Sequence, residues 1–175
     1  TENDLILVSR DIGAHGATIF AAREGMDLET SLKSDCASLY PQVKALIDSG
    51  IKITALRDAT RGGVSAVLNE WAKQSDICIE IEEEKIPIGD EVKGICEMLG
   101  FEAMSLANEG TFVLAIPNED ALKALEVLQT FEYSKTASII GKVTQQYEQR
   151  VILNSQWGTK RFLDVPTGEL LPRIC

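Results

Sequence analysis

The chain has 175 residues, of which 45% are hydrophobic and 25% are charged, and its formal net charge is −10. This composition is typical of one globular domain with a substantial core. The negative charge argues against binding to a nucleic-acid backbone or an anionic membrane, because both require a positive protein surface. The apolar runs are too short to span a bilayer, and we expect no secretory leader.

The first predicted unit is a strand, a glycine-bearing loop and a helix. Residues 4–9 form a short apolar strand, and residues 17–24 have the pattern of a helix. Between them lie Asp11, His15 and Gly16. This order aims backbone N–H groups at an anion, but it is neither a dinucleotide nor a P-loop pattern. For this loop alone, a plain turn capped by Asp11 is the favoured interpretation.

The strand, loop and helix plan occurs a second time. After an amphipathic helix at 39–49, residues 51–56 predict a strand and residues 64–73 a helix. The loop between them contains an acidic side chain, a hydroxyl and paired glycines, which together favour a divalent cation bridging to phosphate over a simple helix cap. The candidate residues are Asp58, as the metal ligand, with Thr60, Arg61, Gly62 and Gly63.

The second half of the chain adds strands and two helices. Strands are predicted at 77–83, 111–116 and 138–143, and helices at 90–99 and 121–130, the latter capped by residues 117–120. Cys78 is expected to face outward or an edge. Residues 150–154 and 160–163 predict a hairpin. The turn at 107–110 contains Glu109, which is either an ordinary turn residue or a partly desolvated carboxylate suited to act as a general base.

These elements predict one α/β (α+β) domain over residues 1–163, with a mixed β-sheet and helices packed on one face. Residues 164–175 are predicted to form an arm that ends on Cys175. A thiol at the tip of an extended arm could carry a covalently attached group between two sites. The alternative is an ordinary chain end, and the arm alone leaves both interpretations open.

The four cysteines, Cys36, Cys78, Cys96 and Cys175, are widely spaced and contain no C-x-x-C pair. This spacing is neither a zinc signature nor a dense disulfide framework. It predicts a reducing compartment, the cytoplasm.

Several segments together resemble one family. Residues 15–25, 57–63 and 106–110, with the ending Pro172, Arg173, Ile174 and Cys175, are similar to the C-terminal half of HypE, a maturation protein of [NiFe] hydrogenases. HypE belongs to the aminoimidazole-ribonucleotide-synthetase-like superfamily, which shares the segment containing Asp58 and the two glycines. Arg10 and Ala14 depart from the family pattern, in which a glycine and an acidic residue are usual.

The resemblance implies an ATP-dependent and Mg²⁺-dependent carbamoyl dehydratase. Cys175 would accept a carbamoyl group from the carbamoyltransferase HypF, ATP would phosphorylate the carboxamide oxygen, and Glu109 would be the base. The product would be a thiocyanate whose cyanide passes to iron on the HypC–HypD complex. HypE-like proteins also carry an N-terminal half that supplies much of the ATP site and the contact of a homodimer, so we expect little turnover from this chain alone.

Two other classes of function remain open at the sequence level. The first is another ATP-using member of the superfamily, of the selenophosphate or purine type, in which removal of Cys175 would leave activity intact. The second is a non-catalytic thiol carrier or docking module, which would neither bind nor hydrolyse ATP.

Overall fold

A seven-stranded sheet runs through the described part of the chain, residues 1–24 and 31–165 of a computed structural model. Its strands are β1 (Leu5–Val8), β2 (Ala55–Asp58), β3 (Cys78–Glu82), β4 (Phe112–Ile116), β5 (Ser138–Thr144), β6 (Arg150–Asn154) and β7 (Lys160–Phe162). Their spatial order is β2-β4-β1-β5-β3-β6-β7. The β3–β6 pair is parallel and the other pairs are antiparallel, which confirms the predicted mixed sheet.

The helices in the same part of the chain are α1 (Ala14–Arg23), α2 (Tyr40–Asp48), α3 (Gly63–Ser75), α4 (Asp90–Leu99) and α5 (Asn118–Gln129). Single 3-10 turns lie at Glu83–Lys85, Ala103–Ser105 and Glu132–Ser134. Among the residues described, no helix is both long enough and apolar enough to cross a bilayer.

Helices cover both faces of the sheet, so the prediction of helices on one face is wrong. Every residue of β4 is buried. Val113 packs in the cluster that contains α3, whereas Leu114 packs in the cluster that contains α2 and α5. Successive side chains of a strand face opposite sides, so the two clusters lie on opposite faces. A third cluster joins α1 to α4.

Some predicted boundaries move in ways that matter for the site. Helix α4 and the β6–β7 hairpin are confirmed. Helix α1 begins three residues before its predicted start, because the positive φ of Gly13, 87°, turns the chain into the helix there. His15 and Gly16 therefore lie in its first turn rather than in the loop. Strand β2 begins at Ala55 and ends on Asp58, because Ile51 packs in the α2–α5 cluster instead of joining the sheet.

The predicted orientation of Cys78 and the predicted cap of helix α5 are both wrong. Cys78 is fully buried rather than outward, because β3 lies between β5 and β6 in the interior of the sheet. Helix α5 begins at Asn118 without a side-chain cap. The Asp120 carboxylate instead accepts a hydrogen bond from the Lys52 amide at 2.9 Å.

Candidate functional site

Three chain segments meet at one end of the sheet, here called the loop end. Strands β1 and β2 leave the sheet there, and the antiparallel strand β4 enters it, since Val8 pairs with Val113 and Asp58 pairs with Phe112. The loop end therefore brings together residues 9–16, 58–63 and 106–111, which are the segments with the predicted Asp11, Asp58 and Glu109 sites.

Asn108 connects the three segments. Its side chain is fully buried, its Oδ1 accepts a hydrogen bond from the Gly13 amide at 2.7 Å, and its Nδ2 donates to the Ala59 carbonyl at 2.9 Å. The same Nδ2 also lies 3.1 Å from the Leu106 carbonyl. Asn108 is not among the residues with positive φ, so the turn uses its amide for hydrogen bonds rather than for a left-handed backbone.

Asp35 is a buried carboxylate that the sequence analysis missed. It is 4% exposed. Its Oδ1 accepts from the Glu109 amide at 3.0 Å, and its Oδ2 accepts from the Gly110 amide at 3.0 Å and from Thr111 Oγ1 at 2.9 Å. Residues 31–39 carry no periodic pattern, so nothing in the sequence distinguishes this Asp from a solvated loop residue.

Glu109 projects from this buried framework as an exposed residue. Its backbone amide is bound to Asp35, whereas its side chain lies at the protein surface of the loop end. Of the two interpretations left open for this turn, the described residues favour an ordinary turn residue, because they leave the Glu109 side chain open to solvent.

Asp58 is also exposed, and it lies at the end of the edge strand β2. Arg61 is exposed beside it, and Thr60 contributes its carbonyl to a hydrogen bond from the Gly63 amide at 2.9 Å. No cluster of three or more His, Cys, Asp or Glu side chains that could hold a metal exists among residues 1–24 and 31–165. A single exposed carboxylate fits Mg²⁺ held mainly by phosphate and water oxygens, not an all-protein metal site.

The glycines of these loops are explained largely by internal packing. Gly62 and Gly63 both have positive φ, 73° and 60°. A Cβ on Gly63 would lie 2.4 Å from the Leu106 carbonyl oxygen, so the close approach at this position is to the chain's own turn. A Cβ on Gly16 would lie 2.8 Å from the Leu106 Cβ. The Gly16 amide donates a hydrogen bond to the Ala107 carbonyl at 2.9 Å.

The first loop uses its polar side chains for internal contacts. The Asp11 carboxylate accepts from Thr136 Oγ1 at 3.2 Å and lies 3.4 Å from Arg10 Nε. The ring of His15, through Nδ1, contacts Ser34 Oγ at 2.9 Å. These contacts support the plain-turn interpretation of this loop, and ligand binding by Asp11, His15 and Gly16 stays a prediction.

The thiols in the described residues differ in access. Cys36 is exposed, whereas Cys78 and Cys96 are buried. Burial raises the pKa of the Cys96 thiol, and the nearby carboxylates of Glu102 and Glu97 raise it further, so this thiol is a poor nucleophile at neutral pH. Cys175 and residues 166–174 of the predicted arm lie outside the described residues.

Residues 1–154 match the family of the AIR synthase related protein, C-terminal domain. The chain belongs to this family. Among AIR synthase related proteins, the carbamoyl dehydratase HypE of Escherichia coli K12 is 44% identical over 176 residues, which cover all of this chain and 51% of that protein. The chain thus spans about half the length of the curated relatives it matches, and its resemblance to HypE extends over its whole length.

Solved structures of HypE proteins are also similar to this chain. A crystal structure of HypE in complex with ATP matches this chain with a TM-score of 0.93 and 34% identity. The match covers all of this chain and 53% of the HypE chain. A crystal structure of a HypE–HypF complex matches this chain with a TM-score of 0.90 and 41% identity. The match covers 95% of this chain and 54% of the chain in that structure. The predicted α/β class with a mixed sheet and the predicted resemblance are both confirmed, whereas the placement of the helices on one face is not.

Proposed function

We propose that this chain is the C-terminal domain of a carbamoyl dehydratase of [NiFe]-hydrogenase maturation. The observation that carries the proposal is the similarity to HypE along the whole chain, at 44% identity to the Escherichia coli protein. The fold agrees with it, because the HypE structure in complex with ATP superimposes with a TM-score of 0.93.

The proposed reaction begins at Cys175. A carbamoyltransferase of the HypF type transfers a carbamoyl group to the sulfur: the bond from the carbamoyl carbon to the phosphate-type leaving group of the activated donor breaks, the S–C bond forms, and the thiol proton is lost. ATP then phosphorylates the carboxamide oxygen, which converts a poor leaving group into phosphate. Loss of both nitrogen protons and of phosphate leaves S-bound thiocyanate, so one ATP is consumed and ADP and phosphate are released.

Glu109 is the proposed base that removes a nitrogen proton. A general base must come within about 2.6–3.2 Å of the proton donor, and an exposed carboxylate at the loop end can be reached by a substrate carried on the Cys175 thiol. Desolvation of Glu109 would then come from the bound arm or from a neighbouring domain rather than from the residues described.

Asp58 is the proposed contact for Mg²⁺ and phosphate, with Thr60, Arg61, Gly62 and Gly63 beside it. Mg²⁺ would neutralise charge on the transferring phosphate when bound. Arg61 is exposed, and a guanidinium group can pair with a phosphate oxygen.

The proposed partners follow from the relatives. HypF is the proposed carbamoyl donor, since a HypE–HypF complex matches this chain with a TM-score of 0.90. The HypC–HypD complex is the proposed cyanide acceptor. An N-terminal half and a homodimer would complete the ATP site, and the cytoplasm is the proposed location.

The acceptor role of Cys175 is tested by the intact mass of the chain after incubation with a HypF-type carbamoyltransferase, carbamoyl phosphate and ATP. We expect a gain of about 43 Da, one carbamoyl group in place of a proton, because the terminal thiol is the nucleophile. The gain should disappear in Cys175→Ala and persist in Cys36→Ala, which removes an exposed thiol of the described part.

Two results would contradict the proposal. A gain that survives Cys175→Ala would assign the acceptor to another residue. If neither this chain nor the chain joined to the N-terminal half of the Escherichia coli relative gains mass, an enzyme of another branch of the superfamily is favoured.

A further inference from the structure

Asp35 lies on a loop far from Glu109 in the sequence, yet it binds the backbone on which Glu109 is carried. The separation of Asp35 and Glu109 is 74 positions, and the two residues are joined by the 3.0 Å bond from the Glu109 amide to Asp35 Oδ1. Resting on the proposed function, we propose that Asp35 is the positioning residue that fixes Glu109 for proton removal from the carbamoyl nitrogen.

The carboxylate of Asp35 satisfies three donors at once. The Gly110 amide and the Thr111 hydroxyl both donate to Oδ2, at 3.0 and 2.9 Å, beside the bond from the Glu109 amide to Oδ1. Hydrogen bonds to an ionised acceptor are about twice as strong as those between neutral groups. Because Asp35 is 4% exposed, water cannot readily replace these bonds.

Gly110 makes this contact possible. A Cβ at this position would lie 1.8 Å from the Asp35 carbonyl oxygen, so only glycine allows the two backbones to approach so closely. The loop of Asp35 is held in turn, since Ser34 Oγ accepts from the Cys36 amide at 3.2 Å and contacts His15 Nδ1 at 2.9 Å. The backbone of Glu109 is thereby fixed against α1 and β4, while its side chain stays exposed.

Fixing the backbone matters because the Glu109 side chain is exposed, while its amide bonds directly to Asp35. An exposed carboxylate on a mobile turn would spend little time within reach of the reacting N–H group. A displacement of about 1 Å in a catalytic group can reduce the rate about 10²-fold. The contact with Asp35 limits the position of the base to what rotation about its own side-chain bonds allows.

Asp35→Asn tests the contact in the chain itself. The amide keeps the shape of the carboxylate, but one of its two acceptor oxygens becomes a donor that faces the Gly110 amide or the Glu109 amide. We expect faster hydrogen exchange at the amides of residues 109 and 110, measured by mass spectrometry of peptides. The matched control is Asp120→Asn, which alters a carboxylate that accepts one amide bond at the opposite end of the sheet. Unchanged exchange in Asp35→Asn would overturn the proposal.

The catalytic role is tested in this chain joined to the N-terminal half of the Escherichia coli relative, by the rate of thiocyanate formation. We expect Asp35→Asn to lower kcat about 10²-fold and to leave the KM for ATP unchanged. In a Glu109→Gln background, Asp35→Asn should cause no further loss, because it acts through a base that is no longer present. Thr111→Ser should retain the rate, since it keeps the hydroxyl donor, and Thr111→Val should lower it.

The outcomes separate this inference from the proposed function. If the parent protein forms thiocyanate but Asp35→Asn retains full kcat, or multiplies the loss in the Glu109→Gln background, positioning through Glu109 is wrong and the proposed function stands. If the parent protein forms no thiocyanate, the proposed function fails and the catalytic role of Asp35 fails with it. Carbamoylation of Cys175 should be equal in the parent protein and the variants, because that step precedes the use of Glu109.

Discussion

Asn108 connects both strand-exit loops to the turn of Glu109 through its side chain. It is fully buried and bonds to Gly13, Ala59 and Leu106. Its donors and acceptors are all satisfied by the protein, so its loss would leave several backbone groups unpaired in a region that excludes water.

Asn108→Ala is therefore expected to destabilise the domain by about 3 kcal/mol, since each buried unpaired group costs about 1–3 kcal/mol. Urea unfolding of the chain measures this change. Asn118→Ala, at an exposed position in the first turn of α5, serves as the control and should change the free energy of unfolding by less than about 0.5 kcal/mol. Equal stability of Asn108→Ala and the parent chain would contradict the structural role assigned to this amide.

For single residues, the sequence predicts the segments of the candidate site more accurately than it predicts the contacts of their side chains. Asp58 and Glu109 were singled out from a strand end and from turn residues, and the strand pairing of the structure then places both at one end of the sheet. The contacts of Asn108 and Asp35 do not, because their partners lie 95 and 74 positions away in the chain. No local pattern encodes a hydrogen bond over such a separation.

At the element scale, helices and strands with clear end signals were predicted well. Helix α4 starts at Asp90 and stops before Gly100, whose φ of 71° ends the helix. Strand β2 was placed too early, because the apolar residues at 51–53 resemble a strand but pack beneath α2 and α5. The second helical layer was missed because a strand buried on both faces, such as β4, has a continuous apolar pattern that does not say how many layers cover it.

The junction between α3 and the Ala103–Ser105 turn is a further element-scale feature with a direct test. Gly63→Ala would place its Cβ 2.4 Å from the Leu106 carbonyl oxygen and would impose a φ of 60° on a residue with a side chain. We expect a loss of about 2–4 kcal/mol, from backbone strain and from displacement of the turn. Thermal or urea unfolding measures this loss.

Gly94→Ala provides the matched control for that substitution. Gly94 lies inside α4, and a Cβ there would meet no atom within 4 Å. Alanine is the better helix former by about 1 kcal/mol, so this variant should be slightly more stable than the parent chain. A Gly63→Ala variant as stable as Gly94→Ala would show that the close approach to Leu106 is not rigid.

At the scale of the whole molecule, the chain combines a tightly packed sheet with one end that exposes chemically useful groups. Asp58, Arg61 and Glu109 are exposed at the loop end, and the buried Asn108 and Asp35 hold the loops that carry them. The chain spans about half the length of its curated relatives. This arrangement fits the proposed function, in which a second domain would cover the loop end and complete an ATP site.

In the proposed function, Cys175 carries the carbamoyl group while it is dehydrated at the expense of ATP. The most direct measurement is the intact mass of the carbamoylated chain, joined to the N-terminal half of the Escherichia coli relative, before and after addition of ATP and Mg²⁺. We expect a loss of about 18 Da, one water, as the carboxamide becomes a thiocyanate through a phosphorylated intermediate. A carbamoylated protein whose mass stays unchanged while ATP is present would contradict it.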